Sequence, residues 1–378
     1  MKIVIAPDSF KESLTAKEVC SAVQAGFQKV LPHATFTHLP IGDGGEGTVQ
    51  SVVDATDGEM ISLTVKGPLG EDVKAFYGLT GDGKTAVIEM AAASGLHLVP
   101  RNKRNPLVTT SFGTGELILN ALDQGVERIV LGLGGSATND GGAGMAQALG
   151  VKLLDRSGNA LSQGGKPLSE LASIDASELD DRLTNVKIEA ACDVTNPLTG
   201  PSGASAVFGP QKGATEAIVD VLDHCLAHYA NVIERDLGRS VNDIRGAGAA
   251  GGLGAGIVAF LNGELRSGID LVLDVIKFED HMIGSDLVIT GEGRIDSQTI
   301  HGKAPVGVAK RAKAVHNHVP VIAIAGSIGE GYEAIFNHSI DAAFSVVNGV
   351  VTLEEALENA AINVEIAAEN IARLIKVR

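Results

Sequence analysis

The chain has 378 residues, of which 44% are hydrophobic and only 3% aromatic, so its core must consist largely of aliphatic side chains. The net charge of −16 at pH 7 argues against a surface that binds nucleic acid or an anionic membrane. No run of about 18 apolar residues is present, which predicts no membrane span, and the three widely spaced cysteines predict neither disulfides nor a zinc site. We expect a cytoplasmic protein.

Short apolar strands alternate with helical patterns at both ends of the chain. A capping box at Thr15 and Glu18 precedes the first helical pattern. Strands are predicted at residues 2–6, 35–39, 287–290, 319–325 and 342–347. Further helices are predicted between and after them, at residues 45–55, 303–316 and 354–375. Strands separated by helices of this length form right-handed crossovers, which predicts a parallel sheet.

The middle of the chain has a different pattern. Residues 61–65, 73–79 and 85–90 alternate between apolar and polar positions with Gly-rich turns between them, as antiparallel hairpins do. A strand at 186–192 and a helix at 216–237 follow. The simplest interpretation is an α/β fold with a parallel-sheet domain built from both termini, into which a second, mixed α/β domain is inserted. The predicted boundaries are residues 1–63 and 285–378 for the first domain and 64–284 for the second; two consecutive domains are the alternative.

Two glycine motifs each allow two interpretations. Residues 78–85 match the phosphate-binding pattern G-x-x-x-x-G-K-[ST], but Asp82-Gly83 lies between two apolar runs and predicts a hairpin turn. Residues 246–251 match G-x-G-x-x-G without a convincing strand before them, so a dinucleotide-binding fold is not expected. The glycines of the second motif either bring backbone N–H groups to a phosphate or allow tight helix packing.

Acidic side chains recur where apolar strands run out into glycine-rich loops. The positions are Asp8, Asp43, Glu46, Asp140, Asp193, Glu292 and Asp296. Ligands of open α/β sheets bind beyond the carboxyl ends of the strands. Carboxylates beside glycine loops indicate Mg²⁺ bound together with a phosphate, and an anionic ligand would be balanced by the nearby cations Lys11, Lys212, Arg294 and Lys303. The pattern favours phosphoryl transfer.

Seven segments, taken in order over nearly the whole chain, resemble one family. They are residues 6–16, 40–48, 132–150, 192–204, 208–214, 246–254 and 290–305, among them APDSFKESLTA, PIGDGGEGT and TGEGRIDSQTIHGKAP. In these segments the chain closely resembles the bacterial glycerate kinases, the class that includes the glycerate 2-kinases. That family has no Walker-type loop, which is a second argument for a hairpin at residues 78–85.

The resemblance implies ATP, Mg²⁺ and D-glycerate, and a flavodoxin-like domain interrupted by a second α/β domain. We expect phosphorylation of glycerate in the cleft between the domains, with 2-phosphoglycerate as the product. The alternatives are a glycerate 3-kinase, an NAD-dependent 2-hydroxy-acid dehydrogenase and a non-catalytic sugar-acid binding protein. The expected partner is the small-molecule substrate, with no nucleic acid or membrane, and the chain could form a homodimer.

The site residues are assigned to four roles. Asp193, at a strand end, is the expected general base, and Asp8 and Lys11 are further catalytic residues. Arg294 is expected to hold the substrate carboxylate through its planar fork, with other substrate contacts from Ser136, Asn139 and Asn196. Phosphate groups are assigned to Gly44, Gly45, Gly248, Gly251, Gly291 and Lys303, and the metal to Asp43, Glu292 and Asp296.

Two of these roles have structural alternatives. Arg294 could form an ion pair with the acids on either side of it, Glu292 and Asp296, instead of binding substrate. Asp193 could cap the turn that follows it through its own backbone.

Overall fold

The computed structural model describes residues 1–377, which form two compact units. Unit 1 contains residues 1–43 and 50–57 and the segment from Ile269 onward, and unit 2 contains residues 44–49 and 58–268. None of the helices in the described residues is both long and apolar enough to cross a membrane.

Thirteen strands and thirteen α-helices occur in the described chain. The strands are β1 (Lys2–Pro7), β2 (Thr35–His38), β3 (Glu59–Lys66), β4 (Asp72–Leu79), β5 (Thr85–Glu89), β6 (Arg128–Gly132), β7 (Lys152–Leu154), β8 (Ser173–Asp175), β9 (Lys187–Ala191), β10 (Glu264–Arg266), β11 (Leu287–Ile295), β12 (Val321–Ile328) and β13 (Ala342–Ser345). The helices are α1 (Ala16–Gln28), α2 (Thr48–Thr56), α3 (Ala91–Ser94), α4 (Phe112–Asp123), α5 (Ala143–Ala148), α6 (Ala204–Phe208), α7 (Glu216–Leu237), α8 (Ala249–Leu261), α9 (Gly268–Val275), α10 (Phe278–Met282), α11 (Ala304–Val315), α12 (Leu353–Glu358) and α13 (Ala360–Lys376).

Unit 1 contains a five-stranded parallel sheet in the order β13-β12-β11-β1-β2. Numbered along the chain, these strands have the order 2-1-3-4-5, which is the flavodoxin-like order. Helix α1 begins at Thr15, whose side chain accepts from the Glu18 N–H while Glu18 reaches back to the Thr15 N–H, so the predicted capping box is confirmed. The predicted parallel sheet from both ends of the chain is confirmed as well.

Unit 2 contains a six-stranded mixed sheet in the order β10-β9-β6-β5-β4-β3. Strands β3, β4 and β5 pair antiparallel, and β5, β6, β9 and β10 pair parallel. Residues 78–85 join β4 to β5 as a hairpin, and a strand instead of a helix follows the turn. The predicted hairpin is therefore confirmed, because a phosphate-binding P-loop needs a helix N-terminus at that position.

The structure corrects several predicted boundaries. The loop predicted to begin at Gly291 is strand as far as Ile295, because β11 continues to pair with β12 through Glu292–Ala325 and Arg294–Ser327. The predicted helix at 45–55 begins only at Thr48, after glycines with positive φ. The predicted helix at 354–375 is divided at Asn359 into α12 and α13.

The second glycine motif, residues 246–251, leads into the first turn of α8, where the backbone of residues 250–252 is not helical. Gly251 has φ +70°, and a Cβ placed there would lie 1.9 Å from the carbonyl oxygen of Thr138. A Cβ on Gly248 would lie 2.3 Å from the carbonyl oxygen of Pro197. These close approaches require glycine at both positions, as the packing interpretation expects, and they do not test the phosphate interpretation.

Candidate active site

Strands β1 and β11 lie side by side in unit 1 and end at the same edge of the sheet. Ala6 pairs with Thr290 and Pro7 with Gly291, so Asp8 follows β1 next to Glu292 of β11. In the flavodoxin-like order, the chain leaves the sheet in opposite directions at this pair of strands, and the crevice that results is the usual ligand site. The topology thus places the first acidic loop and the Gly291–Asp296 segment at the expected binding edge.

Asp8 lies in a negative environment at this edge. Burial, the carboxylate of Asp43 and, more weakly, that of Glu292 raise the pKa of Asp8 from 3.8 to about 7, against the Ser9 N–H and the Lys11 ammonium, which lower it. The Ser9 N–H donates to Oδ1 of Asp8 at 2.6 Å. The structure therefore brings together four of the predicted site residues: Asp8, Lys11, Asp43 and Glu292.

Glu292 is buried and held by two neighbours. The Thr299 hydroxyl donates to its Oε1 at 2.6 Å, and Nζ of Lys303 lies 3.2 Å from its Oε2. Burial is the main cause that raises the pKa of Glu292, while Thr299 and Lys303 lower it. Lys303 is the residue before α11, so its charge and the N-terminal amides of that helix are available to an anion at the same edge.

These carboxylates fit a hard divalent cation. Asp8, whose pKa is raised by burial and by the carboxylates of Asp43 and Glu292, forms with these two neighbours a set of oxygen donors, the type of ligand that Mg²⁺ prefers. Within residues 1–377 no group of three His, Cys, Asp or Glu side chains has the arrangement of a complete metal site. Mg²⁺ in phosphoryl-transfer sites is held by one or two carboxylates with the remaining ligands from substrate phosphates and water, so a complete protein cage is not required.

Arg294 and Asp296 interact with each other in this segment. The Arg294 guanidinium is 65% exposed, and its Nε donates to Oδ2 of Asp296 at 3.1 Å. Oδ1 of Asp296 accepts the N–H of Gln298 at 2.9 Å and so caps the following turn. The ion pair with Asp296, which was the structural alternative for Arg294, is therefore present. Only Nε takes part in this hydrogen bond, so the other N–H groups of the exposed guanidinium can still donate to a carboxylate.

The loop after β6 in unit 2 buries most of its polar side chains. Asn139 is fully buried; its Nδ2 donates to the Ser205 hydroxyl at 2.9 Å, and its Oδ1 has no hydrogen-bond partner among the described residues. Asp140 is also buried and accepts from the Ser111 N–H and hydroxyl, both at 2.8 Å. Ser136 is buried too. The predicted substrate contacts at Ser136 and Asn139 are thus largely covered by protein.

Lys212 is a buried cation beside this loop that was not among the assigned site residues. Burial lowers its pKa to about 7, and the carboxylate of Asp140 opposes that shift. The sequence signal for it was weak: it lies in the segment FGPQKGA, which carries the family resemblance, but nothing in that segment predicts burial of a lysine.

Asp193 and Asn196 follow β9 in unit 2. Oδ1 of Asp193 accepts the Gly268 N–H at 3.1 Å, and the side chain is exposed. Nδ2 of Asn196 donates to the Ser202 carbonyl at 2.7 Å, and the Asn196 carbonyl accepts from the Gly248 N–H at 3.0 Å. The structure therefore places Asn196 and Gly248 together, with Asp193 at the carboxyl end of a parallel strand as predicted.

A cavity of about 510 Å³ lies within unit 2, at the carboxyl ends of β5 and β6. Its lining consists of Gly44, Gly45, Glu46, Lys74, Phe76, Glu89, Ala91, Ala92, His97, Leu98, Gly132, Gly134 and Gly135. The predicted phosphate residues Gly44 and Gly45 are therefore cavity residues. Glu89 accepts hydrogen bonds from the amides that follow these glycines, and its Oε1 accepts the Val49 N–H at 3.0 Å. Burial raises the pKa of Glu89, and the amides of Val49, Gly47 and Thr48 lower it by a smaller amount.

Comparison with known proteins identifies the family. The model of the glycerate kinase family matches residues 3–376. The chain belongs to this family. It is 61% identical over 376 residues to a glycerate kinase of Bacillus subtilis (strain 168), covering 100% of this chain and 98% of the relative. It is 56% identical over 377 residues to the glycerate 2-kinase of Escherichia coli (strain K12), again covering 100% of this chain and 98% of the relative.

A solved structure extends the similarity to the fold. A crystal structure from Salmonella typhimurium LT2 that carries the name glycerate kinase 2 matches with a TM-score of 0.92 and 57% identity, covering 100% of this chain and 98% of the other. The resemblance drawn from the seven segments and the predicted α/β fold class are confirmed. Membership in the family makes the protein a phosphotransferase with an alcohol acceptor that uses ATP and acts on a small molecule.

Proposed function

We propose that the protein transfers the γ-phosphoryl group of ATP to the 2-hydroxyl of D-glycerate and forms 2-phosphoglycerate. The observation that carries the proposal is the acidic site at the β1–β11 edge, with Lys11 and Lys303 beside it, in a member of the glycerate kinase family. The choice of the 2-hydroxyl is supported by the Escherichia coli glycerate 2-kinase, which is 56% identical. The 3-hydroxyl is the alternative.

The carboxylates at this edge are proposed to hold Mg²⁺. Asp43, Glu292 and Asp296 are the proposed ligands. The carboxylates of Asp43 and Glu292 raise the pKa of Asp8, and that of Asp296 raises the pKa of Glu292, which supports a cation there. Mg²⁺, when bound, neutralises charge on the phosphates of ATP. Lys11 and Lys303, with the backbone at Gly291, hold the transferred phosphate by charge and hydrogen bonds. A Cβ at Gly291 would lie 2.2 Å from the Ile324 carbonyl oxygen, so the pairing of β11 with β12 requires glycine at this position.

Asp193 is proposed as the general base and Arg294 as the group that binds the substrate carboxylate. A kinase acceptor hydroxyl loses its proton as it attacks, and a positioned carboxylate oxygen is the usual acceptor. The exposure of Asp193 at a strand end supports this role, and the exposed fork of Arg294 supports bidentate binding of a carboxylate. Ser136, Asn139 and Asn196 remain proposed substrate contacts, and Gly44, Gly45, Gly248 and Gly251 remain proposed phosphate contacts.

Three broader features are proposed with this function. Residues 64–284 are proposed to form a domain inserted between residues 1–63 and 285–378. The two compact units support an insertion, but they assign residues 58–63 to unit 2 and residues 269–284 to unit 1. A cytoplasmic location is proposed because the family uses ATP and acts on a small molecule. A homodimer is proposed as the assembly, and light scattering at several protein concentrations tests it.

Phosphorus NMR of the product tests the proposed reaction directly. The protein is incubated with ATP, Mg²⁺ and D-glycerate, and the expected spectrum contains ADP and 2-phosphoglycerate. A signal of 3-phosphoglycerate instead changes the acceptor hydroxyl but leaves the enzyme class intact. Formation of NADH from glycerate and NAD⁺ would support the dehydrogenase. Glycerate-dependent thermal stabilisation without ATP consumption would support the binding protein.

A further inference from the structure

The cavity in unit 2 has the size and lining of a pocket for an organic ring system. Its volume of about 510 Å³ lies within the range of roughly 300–1,000 Å³ that buries drug-sized ligands, far more than a three-carbon acid fills. We propose that this cavity binds the nucleoside part of ATP, with the purine base stacked on the ring of Phe76. The inference rests on the proposed function, since it assigns the binding position of its phosphoryl donor.

Phe76 is a partly exposed aromatic residue that lines the cavity. The chain has ten phenylalanines and no tryptophan. Phe76 lies on β4, is 38% exposed and forms part of the cavity lining. Tyr77, the next residue, is fully buried on the other face of the strand. An exposed aromatic face beside a cavity is an efficient stacking surface, since every nucleobase has a π-face.

The uncharged part of the lining suits a planar group. Gly134, Gly135, Ala91 and Ala92 present backbone and methyl groups only, so that a flat ring can approach closely. Gly135 has φ +71°, a conformation that favours glycine, so this wall carries no side chain at that position. Leu98 adds an apolar contact.

The charges of the lining decide which part of ATP belongs there. Glu46 and Glu89 both line the cavity, and Glu89 already accepts amide N–H groups at the start of α2. Two carboxylates oppose a triphosphate in the same space but can accept hydrogen bonds from ribose hydroxyls, as acidic residues do in dinucleotide sites. Lys74, two residues before Phe76 on the same face of β4, is the one cation of the lining. The cavity therefore suits the nucleoside end, and the proposed phosphate contacts of Gly44 and Gly45 in its lining are limited to the phosphate next to the ribose.

The absence of tryptophan from the chain allows a direct binding test. Phe76→Trp introduces a single indole at the proposed stacking position, and Phe336→Trp introduces one at an exposed position of unit 1 as a matched control, since Phe336 is 43% exposed. ADP and adenosine are expected to quench the fluorescence of Phe76→Trp in a saturable way and to leave that of Phe336→Trp unchanged. Inorganic tripolyphosphate is expected to quench neither. Equal quenching of both variants, or none at ADP concentrations that inhibit turnover, overturns the proposal.

Kinetics separates this proposal from the function on which it rests. Phe76→Ala is expected to raise KM for ATP on the order of tenfold, because one base–aromatic stack is lost, with KM for glycerate within about twofold of the parent. Phe76→Tyr, which keeps the ring, is expected to restore the parent KM. If the parent phosphorylates glycerate and Phe76→Ala has an unchanged KM for ATP, the cavity assignment is wrong and the function stands. If ADP quenches Phe76→Trp saturably but glycerate is not phosphorylated, the nucleoside site stands and the acceptor is wrong.

Discussion

Nζ of Lys212 donates a hydrogen bond of 2.6 Å to the carbonyl oxygen of Thr138, a residue 74 positions earlier in the chain. The lysine is fully buried, and burial lowers its pKa to about 7. The loop after β6 is therefore held by a buried amino group whose ammonium form is disfavoured by burial. The carboxylate of Asp140 is the charged neighbour that favours the ammonium form.

The buried Lys212 predicts a specific pH dependence of stability. Its pKa is about 7 in the folded chain and about 10.4 in the unfolded chain, so the unfolded state binds one more proton between these values. Stability of the parent relative to Lys212→Met should thus rise with pH, by up to about 1.4 kcal/mol per pH unit from about pH 7 to 10. Urea unfolding of both proteins at several pH values measures the difference, in which other titrating groups cancel. A constant difference across this window contradicts a lowered pKa.

The proposed base is tested by Asp193→Asn. The substitution keeps the shape and an oxygen that can accept the Gly268 N–H, but it removes the basic carboxylate. We expect kcat to fall by roughly 10²–10⁴ while the affinity for ATP stays close to that of the parent. Asp181→Asn, at another exposed acidic position of unit 2, is the charge-matched control. Retention of more than about a tenth of the parent kcat, in a variant with an unchanged Tm, removes Asp193 from the proton transfer.

Arg294→Lys separates carboxylate binding from ion pairing. Lysine keeps the charge near Asp296 but loses the planar fork, so KM for glycerate should rise about tenfold or more while KM for ATP changes little. Arg373→Lys, at an arginine of similar exposure in α13, is the control for a general effect of the substitution. Equal changes in both KM values, or a lower Tm with unchanged kinetics, would indicate the structural ion pair instead.

Gly251→Ala tests why the second glycine motif is needed. The new Cβ would collide with the Thr138 carbonyl oxygen in a backbone with positive φ, so we expect a loss of about 3 kcal/mol or more in unfolding free energy. Gly158→Ala, also at positive φ but with no heavy atom within 4 Å of the Cβ, isolates the backbone cost of roughly 1–2 kcal/mol. Similar stability of the two variants, with nucleotide affinity lost only in Gly251→Ala, would favour the phosphate role.

Local patterns in the sequence predicted most of unit 1. The capping box at Thr15 and the alternation of apolar strands with helices depend on neighbours in the chain, and the structure contains them as predicted. Parallel pairing then brings Asp8 next to the Glu292 segment, because strand ends of one direction share one edge of a sheet. These inferences needed no knowledge of side-chain packing.

Features that depend on tertiary contacts were missed. The segment from Gly291 to Ile295 has no apolar alternation and is a strand only because β12 provides its hydrogen-bonding partner. Lysine is typical of surfaces, so nothing local marks Lys212 as buried. Phe76 belongs to an ordinary hairpin pattern, and only the packing of β5 and β6 beside it forms the cavity that its ring faces.

The position of β1 between β2 and β11 has a consequence for synthesis of the protein. Ile5 pairs with His38 on one side but with Ile289 on the other, 284 residues later. A ribosome that adds about 5–20 residues per second needs roughly 15–60 seconds to supply that second neighbour. During this time β1, an apolar strand from the middle of the sheet, has one row of unpaired amide and carbonyl groups. Another extended segment can pair with that row in place of β11. The nascent chain is thus most exposed to mispairing before β11 emerges, and chaperones that cover extended apolar segments would act in that interval.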